Sequence, residues 1–143
     1  MKLRAGLICL LLIPGPAFAD NCAALKTLVG LAQSDFADGK PDDLLREVES
    51  CDLSRDETGM QTYLCTWKFH YRAPGAAAVF DVLNRLIPVC VRGVKSLPED
   101  TDVNHPDSYE LRRYQRGKVV ISTSLKDKAE LEQTLTFLRL DVK

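Results

Sequence analysis

The sequence predicts an α+β domain: an antiparallel sheet of four to five strands with two helices packed on one face, in the order α-β-β-α-β-β-β, and two disulfides. Three observations predict this fold. Two segments carry apolar residues at helical spacing, one segment alternates apolar and polar residues over ten positions, and a glycine-containing turn joins two strand-like segments near the C-terminus.

Composition limits the possible functions. A charged fraction of 27% beside 45% hydrophobic residues is typical of a folded domain and not of a disordered chain. The formal net charge of -1 argues against a dedicated nucleic-acid or anionic-membrane binder, because such proteins usually carry a clear basic excess.

The first 19 residues have the organisation of a cleaved signal peptide. A positive start at residues 2–4 precedes an apolar run over residues 5–13, and residues 17–19 (Ala-Phe-Ala) form a small-x-small cleavage site. The apolar run is roughly half of the ~20 residues that a membrane span needs, which disfavours an uncleaved anchor. We therefore predict cleavage between Ala19 and Asp20, and one mature domain over residues 20–143 that is periplasmic or secreted.

Cleavage would change both the charge and the cysteine count. The loss of Lys2 and Arg4 leaves 17 basic residues against 20 acidic ones, a formal charge of -3. The loss of Cys9 leaves an even four cysteines in an oxidising compartment, which predicts two disulfides with three possible pairings. The sequence has no Asn-x-Ser/Thr sequon, which favours a bacterial periplasm over a eukaryotic secretory route.

The first helix is predicted to begin at Asp20 or Asn21 and to stop at Gly39, which Pro41 follows. Its apolar face has helical spacing and consists of Leu25, Leu28, Val29, Ala32 and Phe36. Residues 42–50 suit either a helical turn or the approach to a strand, and residues 54–61 form a polar loop that contains glycine.

The clearest strand covers residues 63–72. Tyr63, Cys65, Trp67, Phe69 and Tyr71 point to one side, and the residues between them, from Leu64 to Arg72, point to the other. A second helix then begins at Pro74, where the missing N–H costs nothing, and ends between Pro88 and Cys90.

Residues 92–107 are predicted to be an irregular connection, followed by a hairpin of residues 108–114 and 118–125. We choose a three-residue turn with Gly117 left-handed, because it places Leu111 opposite Ile121 and Tyr109 opposite Thr123. A two-residue loop would instead pair Leu111 with Ser122. Residues 127–132 suit a turn of helix; a final strand is favoured over Thr134–Leu140, with helix as the open alternative.

The four cysteines of the mature chain are predicted to form structural disulfides. Cys51 lies on the arm that pairs with the strand of Cys65, and antiparallel helices would bring Cys22 to Cys90. We therefore predict the pairs Cys22–Cys90 and Cys51–Cys65. A redox-active pair would normally show Cys-x-x-Cys spacing, and a zinc site would show paired cysteine spacing, but the sequence has neither.

The sequence contains no recognisable catalytic motif. It has no nucleophile elbow, zinc-protease motif, phosphate loop or dinucleotide glycine motif, so we predict no catalytic, cofactor-binding or metal-binding residue and no cofactor. His105 and Asp107 lie in an Asn-His-Pro-Asp segment that indicates a turn before the hairpin or a functional loop. With Ser108, this segment contains the three residue types of a Ser-His-Asp triad, but known triads are assembled from residues distant in sequence.

One distributed feature points to binding. On the outward face of the predicted sheet, neighbouring hairpins would form a basic patch with one aromatic residue, and this patch consists of Lys68, His70, Arg72, Arg112, Tyr114 and Lys118. Arg and Tyr are frequent at protein interfaces; the alternative is an ordinary solvated sheet face.

We therefore expect a small exported binding module, such as an inhibitor, an immunity-type protein or an envelope accessory protein. Its partner would be another exported or envelope protein, with no nucleic acid and no membrane span in the mature form. The alternative is a small periplasmic hydrolase that uses the His105 region.

Overall fold

The computed structural model describes residues 16–98 and 109–143. Within these ranges two helices and a six-stranded antiparallel sheet form the α+β fold, which confirms the predicted class, although the sheet has six strands and not four to five. The elements are α1 (Pro16–Gln33), β1 (Ser50–Arg55), β2 (Gln61–His70), α2 (Pro74–Cys90), β3 (Lys95–Ser96), β4 (Tyr109–Arg116), β5 (Val119–Lys128), a 3-10 turn (Ala129–Leu131) and β6 (Gln133–Val142).

The strands lie in the order β1-β2-β6-β5-β4-β3, so β6 separates the first hairpin from the second. Both helices pack on one face of this sheet, and a single apolar core joins them to it. We call that side the helix face and the opposite side the open face; in the described part of the chain no helix covers the open face. Residues of the core include Leu25, Leu28, Leu86, Ile87, Tyr63, Ile121, Leu138 and Leu140.

The predicted alternation of β2 is confirmed. Tyr63, Cys65 and Trp67 are buried on the helix face, whereas Lys68 and His70 are exposed on the open face. The strand ends at His70, two residues before the predicted end. Tyr71, predicted to point inward, instead lies in a turn and is 38% exposed, because Arg72 adopts a left-handed φ of 55°.

Both predicted disulfides are present. Cys22 on α1 bonds to Cys90 at the end of α2, and Cys51 on β1 bonds to Cys65, the residue directly opposite it on β2. One bridge therefore links the two helices and the other links the first two strands, all on the helix-face side of the molecule.

The predicted register of the second hairpin was wrong. The turn between β4 and β5 has two residues, Gly117 and Lys118, so Leu111 lies opposite Ser124 and Tyr109 opposite Lys126. Gly117 has a φ of 56° and occupies the first turn position, as in a type II′ hairpin. The register is shifted by three residues relative to the prediction. Because this number is odd, the side chains of β4 that were predicted to lie on one face of the sheet lie on the other.

The boundaries of other elements also differ from the prediction. The first helix ends at Gln33, well before Gly39, because Asp35 and Phe36 have left-handed φ angles of 55° and 45°. This turn directs the Phe36 ring onto Tyr63, with 5.5 Å between the ring centroids. The polar loop begins only at Asp56, after the end of β1.

Part of the segment predicted as irregular forms a strand. β3 pairs with β4 across Lys95 and Gln115, which adds the sixth strand at the sheet edge. The C-terminal segment is a strand, as favoured, and it extends over Gln133–Val142, beyond the predicted Thr134–Leu140. The helical turn expected within residues 127–132 is the short 3-10 turn.

Candidate binding surface

The structure does not bring the six residues of the predicted patch together. Because β6 lies between the hairpins and the register of β4 is shifted, the patch divides among two faces and two turns. Lys68 and His70 are on the open face, whereas Arg112 and Tyr114 are on the helix-face side.

The two remaining patch residues lie in turns and form ion pairs. Lys118 Nζ is 2.6 Å from Asp35 Oδ2, and Arg72 Nε is 3.2 Å from Asp127 Oδ2. The backbone N–H of Arg72 also donates to Thr134 Oγ1 at 2.7 Å, and that hydroxyl donates to Asp127 Oδ1. This network fastens the turn after β2 to β5 and β6, so Arg72 has a structural role.

Tyr114 is part of the core. Its hydroxyl donates to Asn84 Oδ1 on α2 at 2.8 Å, and Thr123 Oγ1 donates to the same oxygen at 2.8 Å. The remaining amide group of Asn84 donates to Phe80 O. Burial raises the pKa of Tyr114. The sequence alone does not show this role, because the acceptor lies 30 residues away on another element.

His105 and Asp107, the predicted functional loop, lie outside the described residues. Within the part of the chain that the structure describes, no three His, Cys, Asp or Glu side chains are grouped so that they could hold a metal ion.

A groove runs along β5 on the open face. Small side chains of β5 form its floor, and longer side chains of the flanking strands β4 and β6 form its walls. Its volume is about 380 Å³. We call it the β5 groove and define it by Ser122 and Ser124 of the floor, Leu111 and Arg113 of β4, and Phe137 and Arg139 of β6.

Cross-strand pairing organises the β5 groove in two rows. Ser122 lies opposite Arg113 on one side and Arg139 on the other. Ser124, two residues further along, lies opposite Leu111 and Phe137. One row is therefore cationic and the next is apolar, and both have a short hydroxyl side chain at the centre.

The open face carries a basic excess in a chain of formal charge -1. Alternation along the described strands places six basic and two acidic residues on it, and Glu49, immediately before β1, forms an ion pair with Lys68 at 3.5 Å, so the formal sum is +3. Since the whole chain is slightly acidic, positive charge is concentrated on this face. The residues are Lys68, Lys95, Arg113, Lys126, Lys128 and Arg139, with Asp52 and Asp141.

The two arginines of the groove differ in their partners. Arg139 Nε lies 2.8 and 2.9 Å from the two carboxylate oxygens of Asp141, which also accepts a 2.6 Å hydrogen bond from Thr62. Arg113 donates through Nη2 to Pro98 O at 3.4 Å, and its Nε is buried with no hydrogen-bond partner among the described residues. Arg139 is thus neutralised within the fold, whereas no described carboxylate pairs with Arg113.

The groove residues were absent from the predicted patch, although the sequence contains a signal for them. A Gly-first two-residue turn at Gly117 would have placed Leu111 and Arg113 on the open face. Alternation along the predicted final strand likewise places Phe137 and Arg139 on the side opposite to Leu138.

Comparison with models of known protein families gives no match. Comparison with curated proteins also gives no match. Neither of the described helices has the length and hydropathy needed to cross a bilayer.

Proposed function

We propose that the protein is a small exported binding module that holds another exported or envelope protein on its open face, with the β5 groove at the centre of the contact. The observation that carries the proposal is the combination of a net positive open face with half-buried apolar side chains in the groove. Inhibitors, immunity-type proteins and envelope accessory proteins are the classes that such a single domain fits.

The difference in exposure and side-chain composition between the two faces supports this proposal. An antiparallel sheet commonly covers one face with helices and exposes a polar opposite face to water. Here the exposed side also has Leu64, Leu111 and Phe137 around one concavity, next to arginine and serine. Apolar side chains rimmed by polar residues are typical of protein interaction sites.

Export is supported by the disulfides, although cleavage after Ala19 would remove the first four residues of α1. Buried disulfides persist in oxidising compartments. Cleavage at the predicted site would preserve the contacts of Arg46, whose Nη1 is 3.4 Å from Asp20 Oδ2 and whose backbone N–H donates to Asn21 Oδ1. We propose the bacterial periplasm as the compartment. N-terminal sequencing of the protein from its source should find Asp20 first; a mature chain that still begins at Met1 would contradict export.

Site-specific crosslinking tests the binding surface. A photoreactive amino acid replaces Ser124, on the groove floor, and a matched variant carries it at Ala77, which is exposed on α2. Irradiation in the exported fraction of the source cell should give a defined protein adduct from position 124 and none from position 77. An adduct from position 77 alone, or from neither position, would overturn the proposal.

A further inference from the structure

We infer that the β5 groove binds an extended acidic peptide segment of the partner, with a carboxylate against Arg113 and an apolar side chain, two residues away, between Leu111 and Phe137. This inference rests on the proposed function and deepens it by naming the chemistry that the open face recognises.

Arg113 selects the carboxylate. Its guanidinium charge is not paired with any carboxylate of the described chain: Nη2 donates to Pro98 O at 3.4 Å, a neutral acceptor, and Nε is buried out of reach of a ligand. A guanidinium group presents two N–H groups in a planar fork that matches the two oxygens of a carboxylate. A carboxylate that meets the Nη groups of Arg113 would therefore neutralise a charge that the described fold leaves uncompensated.

Arg139 does not compete for the same ligand. Asp141 already occupies its guanidinium group, and Thr62 holds that carboxylate in place. The anionic group of a ligand is therefore directed to the β4 wall of the groove, and Arg139 with Asp141 forms the opposite wall.

The spacing of the two rows fits an extended chain. Arg113 and Leu111 are two residues apart on one strand, a distance of about 6.4–6.8 Å for a rise of 3.2–3.4 Å per residue. An extended peptide that lies along β5 presents alternate side chains to the groove with the same spacing. A carboxylate and an apolar side chain separated by one residue therefore reach the cationic and apolar rows together.

Charge and shape favour this occupant over others. A second copy that met the first face to face would oppose two basic surfaces, which is unfavourable. Inorganic phosphate or another purely ionic ligand would leave the row of Leu111 and Phe137 uncovered.

Fluorescence anisotropy with three labelled nine-residue peptides tests the inference on the mature chain. In the first peptide one serine separates glutamate from leucine; the second has the same composition with glutamate and leucine adjacent; the third has lysine in place of glutamate. We expect the first to bind, the second to bind about tenfold more weakly because its two side chains point to opposite faces, and the third not to bind.

Two matched variants assign the contact. Arg113→Gln should raise the Kd for the first peptide about tenfold or more, because it removes a charge-assisted pair. Arg92→Gln makes the same change in net charge at an exposed turn after α2 and should leave the Kd unchanged. Equal affinity of Arg113→Gln and the unmodified protein would overturn the inference, as would equal binding of the first two peptides.

The remaining outcomes separate this inference from the proposed function. A crosslink from position 124 together with peptides that are not discriminated overturns the carboxylate assignment and leaves the binding face intact. Absence of that crosslink overturns the proposed function and this inference with it. A dimer in sedimentation equilibrium that Arg113→Gln dissociates, or displacement of the first peptide by an equal concentration of inorganic phosphate, would assign the groove to those occupants instead.

Discussion

The helix face and the open face belong to the same six strands, but similar side chains are buried to different extents on the two faces. On β6, Leu138 is fully buried against the helices, whereas Leu135 on the other side is only half-buried. Both disulfides and the largest buried side chains lie on the helix-face side. The open face instead carries a net positive charge and contains the β5 groove.

This difference indicates that the free energy of folding is concentrated on one side of the sheet. Hydrophobic stabilisation scales with the apolar area removed from water, and the helix face buries most of it. Side chains of the open face can therefore be substituted with little loss of folding free energy, which allows them to match a binding partner. The following predictions test that separation.

The largest expected effect is removal of the disulfide between the helices. Replacement of Cys22 and Cys90 by alanine should lower the free energy of unfolding by about 4 kcal/mol, because the bridge closes a loop between residues 68 positions apart. The bridge between Cys51 and Cys65 spans 14 positions, and its removal should cost about 3 kcal/mol. Guanidinium unfolding of the two double variants gives the comparison; a larger loss for the shorter loop would contradict it.

The two leucines of β6 test the faces directly. Leu138→Ala leaves a cavity in the core and should lower the free energy of unfolding by about 3 kcal/mol. Leu135→Ala removes the same atoms from the open face and should cost about 1 kcal/mol or less, since water and neighbouring side chains can fill the space. Urea unfolding of both variants measures the difference, and equal losses would show that the open face contributes to stability as much as the core does.

A smaller effect concerns the pH dependence of the helix face. Burial raises the pKa of Tyr63 from 10.0 to about 12, with a further contribution from the carboxylates of Asp43 and Asp52. The folded state therefore favours the neutral phenol, and this contribution to stability is complete below pH 10 and is lost as the pH rises from 10 to about 12.

Tyr63→Phe should remove that contribution to the alkaline loss. No described residue accepts a hydrogen bond from the Tyr63 hydroxyl, so the variant should be as stable as the unmodified protein, or slightly more stable, at pH 7. Unfolding free energies measured from pH 8 to pH 12 test both statements. A variant with an unchanged alkaline slope would show that Tyr63 does not titrate in this range.

The parts of the fold that the sequence predicts correctly depend on local patterns. Alternation along β2 identifies the core side of Tyr63 and Trp67 without any knowledge of the rest of the chain. The pairing of Cys51 with Cys65 follows once the first hairpin is assumed, because the two cysteines then lie on adjacent strands.

The residues of the binding surface could not be predicted from local patterns, because they depend on contacts between distant parts of the chain. The faces of β4 depend on whether Tyr114 points to α2, and its partner Asn84 is 30 residues away. The insertion of β6 between the two hairpins is a long-range pairing, which no local spacing shows. An error in one turn therefore displaced Arg112 and Tyr114 from the predicted face, while the fold class was unaffected.

The smallest expected effect separates the two arginines of the β5 groove. Arg139→Gln breaks a partly exposed ion pair with Asp141 and should lower the free energy of unfolding by about 0.5 kcal/mol. Arg113→Gln should leave it unchanged or raise it slightly, because it removes a charge that no described carboxylate pairs with and a buried donor that has no partner. Parallel urea unfolding at low and high salt measures both. If Arg113→Gln were the more destabilising variant, Arg113 would serve the fold and the open face would lose its best candidate for a ligand contact. If it is neutral, the charge of Arg113 is one that the fold does not use, as expected of a residue that serves a partner.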